Sequence, residues 1–332
     1  MSRPGHVPRV AEGRERHVSA PGDITQFHDP AVRDLAWLLF SPALLSASQA
    51  GAPLACAVTS DERGAALSWL ATLDHDPASL HAQVYKTSLT RLGFYAEALL
   101  EYFLRHGPNA RLIAANVPLR SSGRTLGEVD FLLESALGER LHWELAVKFY
   151  LHIGEAEGRA VLADYVGPNL QDRFDLKHAR LLHHQLGLSA RDEFASLGFV
   201  GPWHAELFVK GRLFYREPQH NRATNPPPEL ADDHLRGWWT TVSEWQASKG
   251  DGVYGVLPRL AWLAERAVSA AEGEKRVLDS DTVTELSSPI MVARYGIQGK
   301  VWQERSRGFI VPDEWPERAM AFARSRLQEP QR

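Results

Sequence analysis

The sequence has one cysteine, Cys56, which excludes an internal disulfide and a thiolate zinc cluster and is compatible with a reducing cytoplasm. It also has no long apolar run. The most hydrophobic stretch near its start, Leu35 to Leu45, is broken by Ser41 and Pro42 and falls short of the roughly 20 residues that span a bilayer. Arg3, Arg9, Arg14 and Arg16 stand near the beginning without an apolar run and cleavage site, so no secretory signal is expected and the expected compartment is cytoplasmic. Neither charge is in large excess: 37 Lys and Arg face 41 Asp and Glu, a net charge of −4. Nucleic acid therefore cannot be held by bulk charge, and any polyanion site must come from local arrangement. Phosphate loops ending in Lys-Ser or Lys-Thr, a His-Glu-x-x-His pair and a Gly-x-Ser-x-Gly elbow are all missing, which removes the nucleotide hydrolase, zinc protease and serine hydrolase readings. His183 and His184 are adjacent on an expected helix, diverge by about 100° and cannot chelate one ion together.

What is present is a chain long enough for a large core, 44% hydrophobic. Residues 1–24 are rich in Arg, Pro and Gly without apolar period and read as a disordered lead-in; 25–90 read as a helical extension. Its clearest helix starts at Asp29-Pro30, an N-cap followed by proline at the first helical position, and ends near Pro42. Residues 61–73 and 77–91 add further helical material. In RLGFYAEALLEYFLRH, Leu92, Ala96, Leu99, Leu100, Phe103 and Leu104 form one stripe. Strand patterns follow at 112–120, 127–134 and 141–151, then a helix over Asp172 to Leu188 and a strand over 203–215 with Gly211 as a bulge or turn. This order of helix, three strands, helix and strand occupies 91–216 and predicts an α/β core with a mixed sheet. A Pro-rich connection at 217–230 is expected to separate it from a C-terminal elaboration, 231–324, with a helix through LPRLAWLAERAV; 325–332 form a tail.

Chemistry concentrates on two charges inside apolar strands. Asp130 lies in VDFLL and Lys148 in LAVKFYL, and an ionised group removed from water costs several kcal/mol unless paired or metal-bound. The two strands are joined by a short turn, so each charge is the natural partner of the other, as a salt bridge or through a shared ion. Strand alternation places Glu128 with Asp130, and His142, Glu144 and Ala146 with Lys148. Glu97 has no base at i+3 or i+4, whereas Glu101 has Arg105 at i+4 and suits a solvated pair. Arg173, Lys177 and Arg180 recur along one helix stripe, either as phosphate contacts or as a solvated face; Gln185 beyond them reads as a helix-surface residue. Most of the ten tryptophans lie in the C-terminal part, at spacings that favour core packing over base stacking, and Arg305 and Arg307 are possible phosphate contacts.

The strings GEVDFLL and WELAVKFY, preceded by the glutamate helix of Glu97, resemble the PD-(D/E)XK nuclease superfamily. The longer set LGFYAE, GEVDFLLE, HWELAVKFYL, GPNLQDRFDLKHARLLHHQL and RSRGFIVPDEWP resembles a bacterial family described as domain of unknown function 1853, grouped with those nucleases. The resemblance spans residues 30–320. It implies a restriction-endonuclease-like core and a Mg²⁺-dependent (or Mn²⁺-dependent) phosphodiester hydrolase acting on DNA or RNA. Asp130 would be the main metal ligand and Glu97 a second, directly or through water; Lys148 would hold or help deprotonate the attacking water, with Glu128 in support. The pattern departs at Ala146, where the superfamily carries an acid two positions before the lysine. Glu144 stands four positions before Lys148, roughly 13 Å away along an undistorted strand, and would join the same ion only through a bulge. The alternative is a degraded site on a nuclease fold, retained as a nucleic-acid-binding or protein-interaction scaffold.

Overall fold

A computed structural model of the chain describes residues 22–85, 91–108, 111–154, 159–217, 225–249, 252–278 and 283–325. The expected lead-in up to residue 21, the tail from 326 and residues 218–224 of the Pro-rich connection lie outside the described residues. Helix α1 (Pro30–Phe40) begins as its sequence dictates: the Asp29 carboxylate accepts from the N–H groups of Ala31 and Val32 at 3.0 and 3.1 Å, and Ser41-Pro42 ends it. Helices α2 (Arg63–His75) and α3 (Ala78–Val84) complete the N-terminal layer; residues 86–90 of the second expected helix lie outside the described residues. Helix α4 (Leu92–His106) buries the whole stripe read from its sequence.

Strands β1 (Arg111–Ser121), β2 (Arg124–Glu134) and β3 (Arg140–His152), the three expected strands, form an antiparallel meander. After the two-residue β4 (Tyr165–Val166) and helix α5 (Phe174–Arg180), β5 (His204–Arg216) returns parallel to β3. The C-terminal strands are β6 (Arg236–Thr241), β7 (Val253–Val256), β8 (Ala267–Ser269), β9 (Ile290–Gln298) and β10 (Val301–Val311). All ten share one mixed sheet, in the order β1-β2-β3-β5-β6-β10-β9-β7, with β4 on β3 and β8 on β10. The boundary expected at 217–230 thus divides the chain but not the sheet, because β6 pairs directly with β5.

One sheet face presents Phe131, Leu133, Trp143, Leu145 and Phe149 to α1 and α4. The opposite face presents Ala146, Tyr150, Leu207 and Val209 to Phe174 and Leu181. Trp238, Trp239 and Trp245 are buried, as their spacing predicts, and Trp262 partly so; Trp302 and Trp315 are buried as well. The helix expected through LPRLAWLAERAV does not form: Arg259–Ala261 make one 3-10 turn and Ala267–Ser269 become β8. Its main-chain groups are taken elsewhere. The Arg307 guanidinium donates to the carbonyls of Trp262, Leu263 and Ala264, and the Ala264 N–H goes to Asp34. Arg307 is itself fully buried, which corrects its expected role as a phosphate contact. No helix among the described residues is long and apolar enough to cross a membrane.

Candidate metal and phosphate site

The site begins where the sheet splits. The ladder between β2 and β3 runs from Glu134↔Arg140 to Phe131↔Trp143 and stops there, although both strands continue. One position further the Asp130 carboxylate closes the gap, accepting the N–H of Leu145 at 2.8 Å. The alternation expected across 128–133 also slips here. Val129 and Leu132 both pack with Leu188, while Phe131 and Leu133 face the other core. Opposite Asp130 in the β1 register stands Asn116, with φ of 53°.

From one layer comes Glu97 of α4, and from strand β3 comes Glu144, the residue facing Asp130 when the ladder register is extended by one step. Burial, then Glu144 and, more weakly, Glu97 push the Asp130 carboxyl up to about 8, against the Leu145 N–H and Lys177, which hold it down. Glu97 is pushed up to about 6 by burial, then by Glu128 and Glu144, with Lys177 acting the other way. Oδ1 of Asp130 makes no hydrogen bond among the described residues.

Glu144 is held from both ends. His142 Nε2 lies 2.8 Å from its Oε1, with the other ring nitrogen 2.8 Å from Ser189 Oγ, and Gln185 donates to its Oε2 at 3.1 Å. The distance along the strand from Glu144 to Lys148 therefore does not exclude this glutamate, because the site is centred on Asp130 and not on the lysine. Ala146, the position of the missing acid, is buried among Leu44, Tyr150 and Phe174.

Lys148 does not pair with Asp130. Its ammonium lies 2.6 Å from Asp172 Oδ2, which also accepts from Tyr150 Oη at 3.0 Å. Opposite Lys148 in the parallel register is Gly211, inside β5 rather than at a turn. With φ of 145°, any Cβ there would stand 1.8 Å from the Lys148 carbonyl oxygen, so only glycine lets the two strands meet. The cation in the field of Asp130 and Glu97 is instead Lys177 of α5, whose own pKa is lowered by burial and by Lys148 and supported by Asp130 and Asp172.

The stripe expected of Arg173, Lys177 and Arg180 separates into three environments. Arg173 is buried, clamped on Asp175 at 2.7 and 2.9 Å and on the carbonyls of Ala323 and Ser325, so its donors are spent inside the protein. Lys177 is half-buried in the field of Asp130 and Asp172, and Arg180 is exposed. The helix also changes pitch, with Leu181–Gln185 forming a π turn closed by Leu186 N–H on Leu181 O at 3.1 Å. One extra residue rotates the rest of the helix by about 100°, so Gln185 rather than His184 continues the face of Lys177. No local pattern marks this turn, and none marks Asp172 as the lysine's partner. Glu101 forms its i, i+4 pair with Arg105 at 2.8 Å and stays outside the site.

A family model described as Domain of unknown function (DUF1853) matches residues 33–311. The chain belongs to that family. No curated protein and no solved structure matches it. The DUF1853 match runs from α1 to the end of β10, so Glu97, Asp130, Glu144, Lys148, Asp172, Lys177 and Gln185 all lie within it. Among the described residues no three Asp, Glu, His or Cys side chains converge on one ion position. The donor set of the DUF1853 site nonetheless fits a hard divalent cation: oxygen ligands only, one half-buried carboxylate with an unengaged oxygen, and like charges left to repel one another. Magnesium takes one or two carboxylates and completes its shell with water and phosphate oxygens.

The clamp on Glu144 has a measurable size. Gln185→Leu removes the donor to Oε2 of a carboxylate that is 1% exposed and is expected to destabilise the protein by about 1–2 kcal/mol. Urea unfolding should show a lower midpoint at unchanged slope; an unchanged midpoint would mean that the amide does not support Glu144.

Proposed function

We propose that this DUF1853 protein is a divalent-metal-dependent nuclease, hydrolysing phosphodiester bonds on a PD-(D/E)XK-like core. The observation that carries the reading is Asp130 in the split between β2 and β3, with Glu97 and Glu144 beside it. The surrounding order α4-β1-β2-β3-α5-β5, with the two-residue β4 between β3 and α5, supports it, being the helix, three strands, helix and strand read from the sequence patterns. Asp130 and Glu97 would hold Mg²⁺ or Mn²⁺, with Glu128 near the same carboxylates. When bound, such an ion supplies charge neutralisation at a phosphoryl oxygen. Lys177 offsets the carboxylates, and Lys148 stands ready to meet phosphate once its contact with Asp172 is exchanged. His142 and Gln185 fix the direction of Glu144.

Ala146 and the Lys148–Asp172 pair support a second reading, a non-catalytic binding scaffold on the same fold. The two readings part in one experiment. Purified protein with Mg²⁺ or Mn²⁺ is expected to cut DNA or RNA, to stop on chelation, and to lose cutting in Asp130→Ala and Lys148→Ala variants that remain folded. Wild-type cutting in both variants would end the nuclease reading. Absence of cutting and of Mn²⁺ binding, with nucleic acid still bound, would establish the scaffold.

A further inference from the structure

Beside Lys148 the surface opens into a cleft of about 320 Å³, lined among others by Arg91, Gly93, Lys148, Asn169, Asp172 and Arg259. Three cations therefore face it against one carboxylate, and that carboxylate, Asp172, is already engaged by Lys148. Arg91 and Arg259 come from distant parts of the sequence. Arg91 is the residue before α4, and Arg259 stands in the 3-10 turn that replaces the expected C-terminal helix.

Each arginine carries an aromatic ring with it. The Arg91 guanidinium lies 5.8 Å from the centre of the Phe94 ring, and Arg259 lies 5.5 Å from that of Trp262, itself part of the cleft wall. Phe94 is 49% exposed on a helix that otherwise buries its large apolar residues, so core packing does not account for it. Trp262 is anchored from behind, edge-on to Phe149 at 5.5 Å, and its indole N–H is used by Leu257 O. An arginine for a phosphate with a ring next to it for a base, Trp262 in the cleft wall beside Arg259 and Phe94 beside Arg91, is the arrangement that holds an unpaired strand. A duplex hides its base faces by stacking, so rings placed for bases select an unpaired strand.

We infer that this cleft binds single-stranded nucleic acid, with backbone phosphates on Arg91 and Arg259 and bases against Phe94 and Trp262, leading the strand toward Lys148. The inference rests on the nuclease reading for its purpose but not for its test, because binding is measured with no metal present. In EDTA, fluorescence anisotropy of a labelled single strand of about 12 nucleotides, within the usual site sizes of such grooves, is compared with a blunt duplex of the same sequence. The full-length protein is expected to bind the single strand at least about tenfold more tightly, with affinity falling as salt rises. Arg91→Ala and Arg259→Ala should each lower the dependence of log affinity on log salt by about one unit. Phe94→Ala should weaken binding about tenfold while leaving that slope unchanged. These residues lie at the surface or its edge, and circular dichroism is the check that each variant folds.

Equal affinity for duplex and single strand, or indifference to all three substitutions, would overturn the inference. So would displacement of the strand by inorganic phosphate alone at low millimolar concentration, which would mark a small-anion site. Asp130→Asn separates the two claims. Lost cutting with retained single-strand binding in that variant bears on the catalytic site alone, whereas a wild-type protein that cuts but shows no preference for single strands defeats only the cleft.

Discussion

Asp130→Asn is expected to stabilise the metal-free protein at neutral and higher pH. The Asp130 carboxyl sits at about 8 in the folded chain, against about 3.9 in an unfolded one. The folded state therefore holds a proton between pH 4 and 8 that the unfolded state has released. Its contribution is fully present below the unfolded value and is lost as pH rises through the folded one. At pH 7 the proton has been released by the unfolded chain but not by the folded one, so stability there is lower than in acid. Asparagine keeps an oxygen for the Leu145 N–H, removes the charge, and so removes most of that penalty.

The pH profile gives the prediction a second arm. His152 and His234 are buried, burial being the first cause that lowers each to about 4, and they act with the opposite sign. Unfolded histidine takes up a proton near 6.5, so these two reduce stability as pH falls from 6.5 to 4. Glu97, raised to about 6, offsets part of that effect. Above pH 6.5 Asp130 is left as the dominant titrating group of this set, and thermal unfolding in EDTA should show stability declining from pH 6.5 to 8 in the wild type and level in Asp130→Asn. Millimolar Mn²⁺ should raise the wild-type midpoint by several degrees, because an ion that binds only the folded state stabilises it, and should leave the variant unmoved. A variant less stable than wild type at pH 8, or equal Mn²⁺ shifts in both proteins, would contradict the placement of Asp130 among Glu97, Glu128 and Glu144.

Most of the core's order was legible because its hydrophobic period changes cleanly. Leu92 to Leu104 repeat at helical spacing, and 127–134 and 141–151 alternate as strands, so α4, β2 and β3 could be bounded closely. The individual partners were less legible, for reasons that act between elements. Where the β2–β3 ladder stops depends on both strands together, and that stop makes Glu144 the neighbour of Asp130. Asp172 precedes α5 in an irregular segment, and only the tertiary approach of that segment to β3 gives it Lys148 and Tyr150. The π turn that aims Gln185 at Glu144 inserts one residue into a pattern that local propensity reads as continuous helix.

The stretch 257–264 shows the same limit most strongly and yields the other large effect. Leu257, Leu260, Leu263 and Ala264 have helical spacing, but Arg307 supplies the donors that a helix would have supplied from within. Its guanidinium also meets Glu304, whose side chain, like its own, is 0% exposed. Arg307→Met would strip three carbonyls of their donor and leave Glu304 buried with the Arg266 N–H as its remaining donor. Removing one member of a buried pair costs about 3–5 kcal/mol, chiefly because the remaining charge is left without compensation. Glu304→Leu combined with Arg307→Met should therefore cost less than the two single changes together, a coupling that a double-mutant cycle in urea would read directly. The same contact holds Trp262 and the turn bearing Arg259 against the cleft, so Arg307→Met, under conditions where it stays folded, should also weaken binding of a single strand. A cost below about 1 kcal/mol, with no coupling between the pair, would mean that water replaces the guanidinium and that this segment is held by its apolar side chains alone.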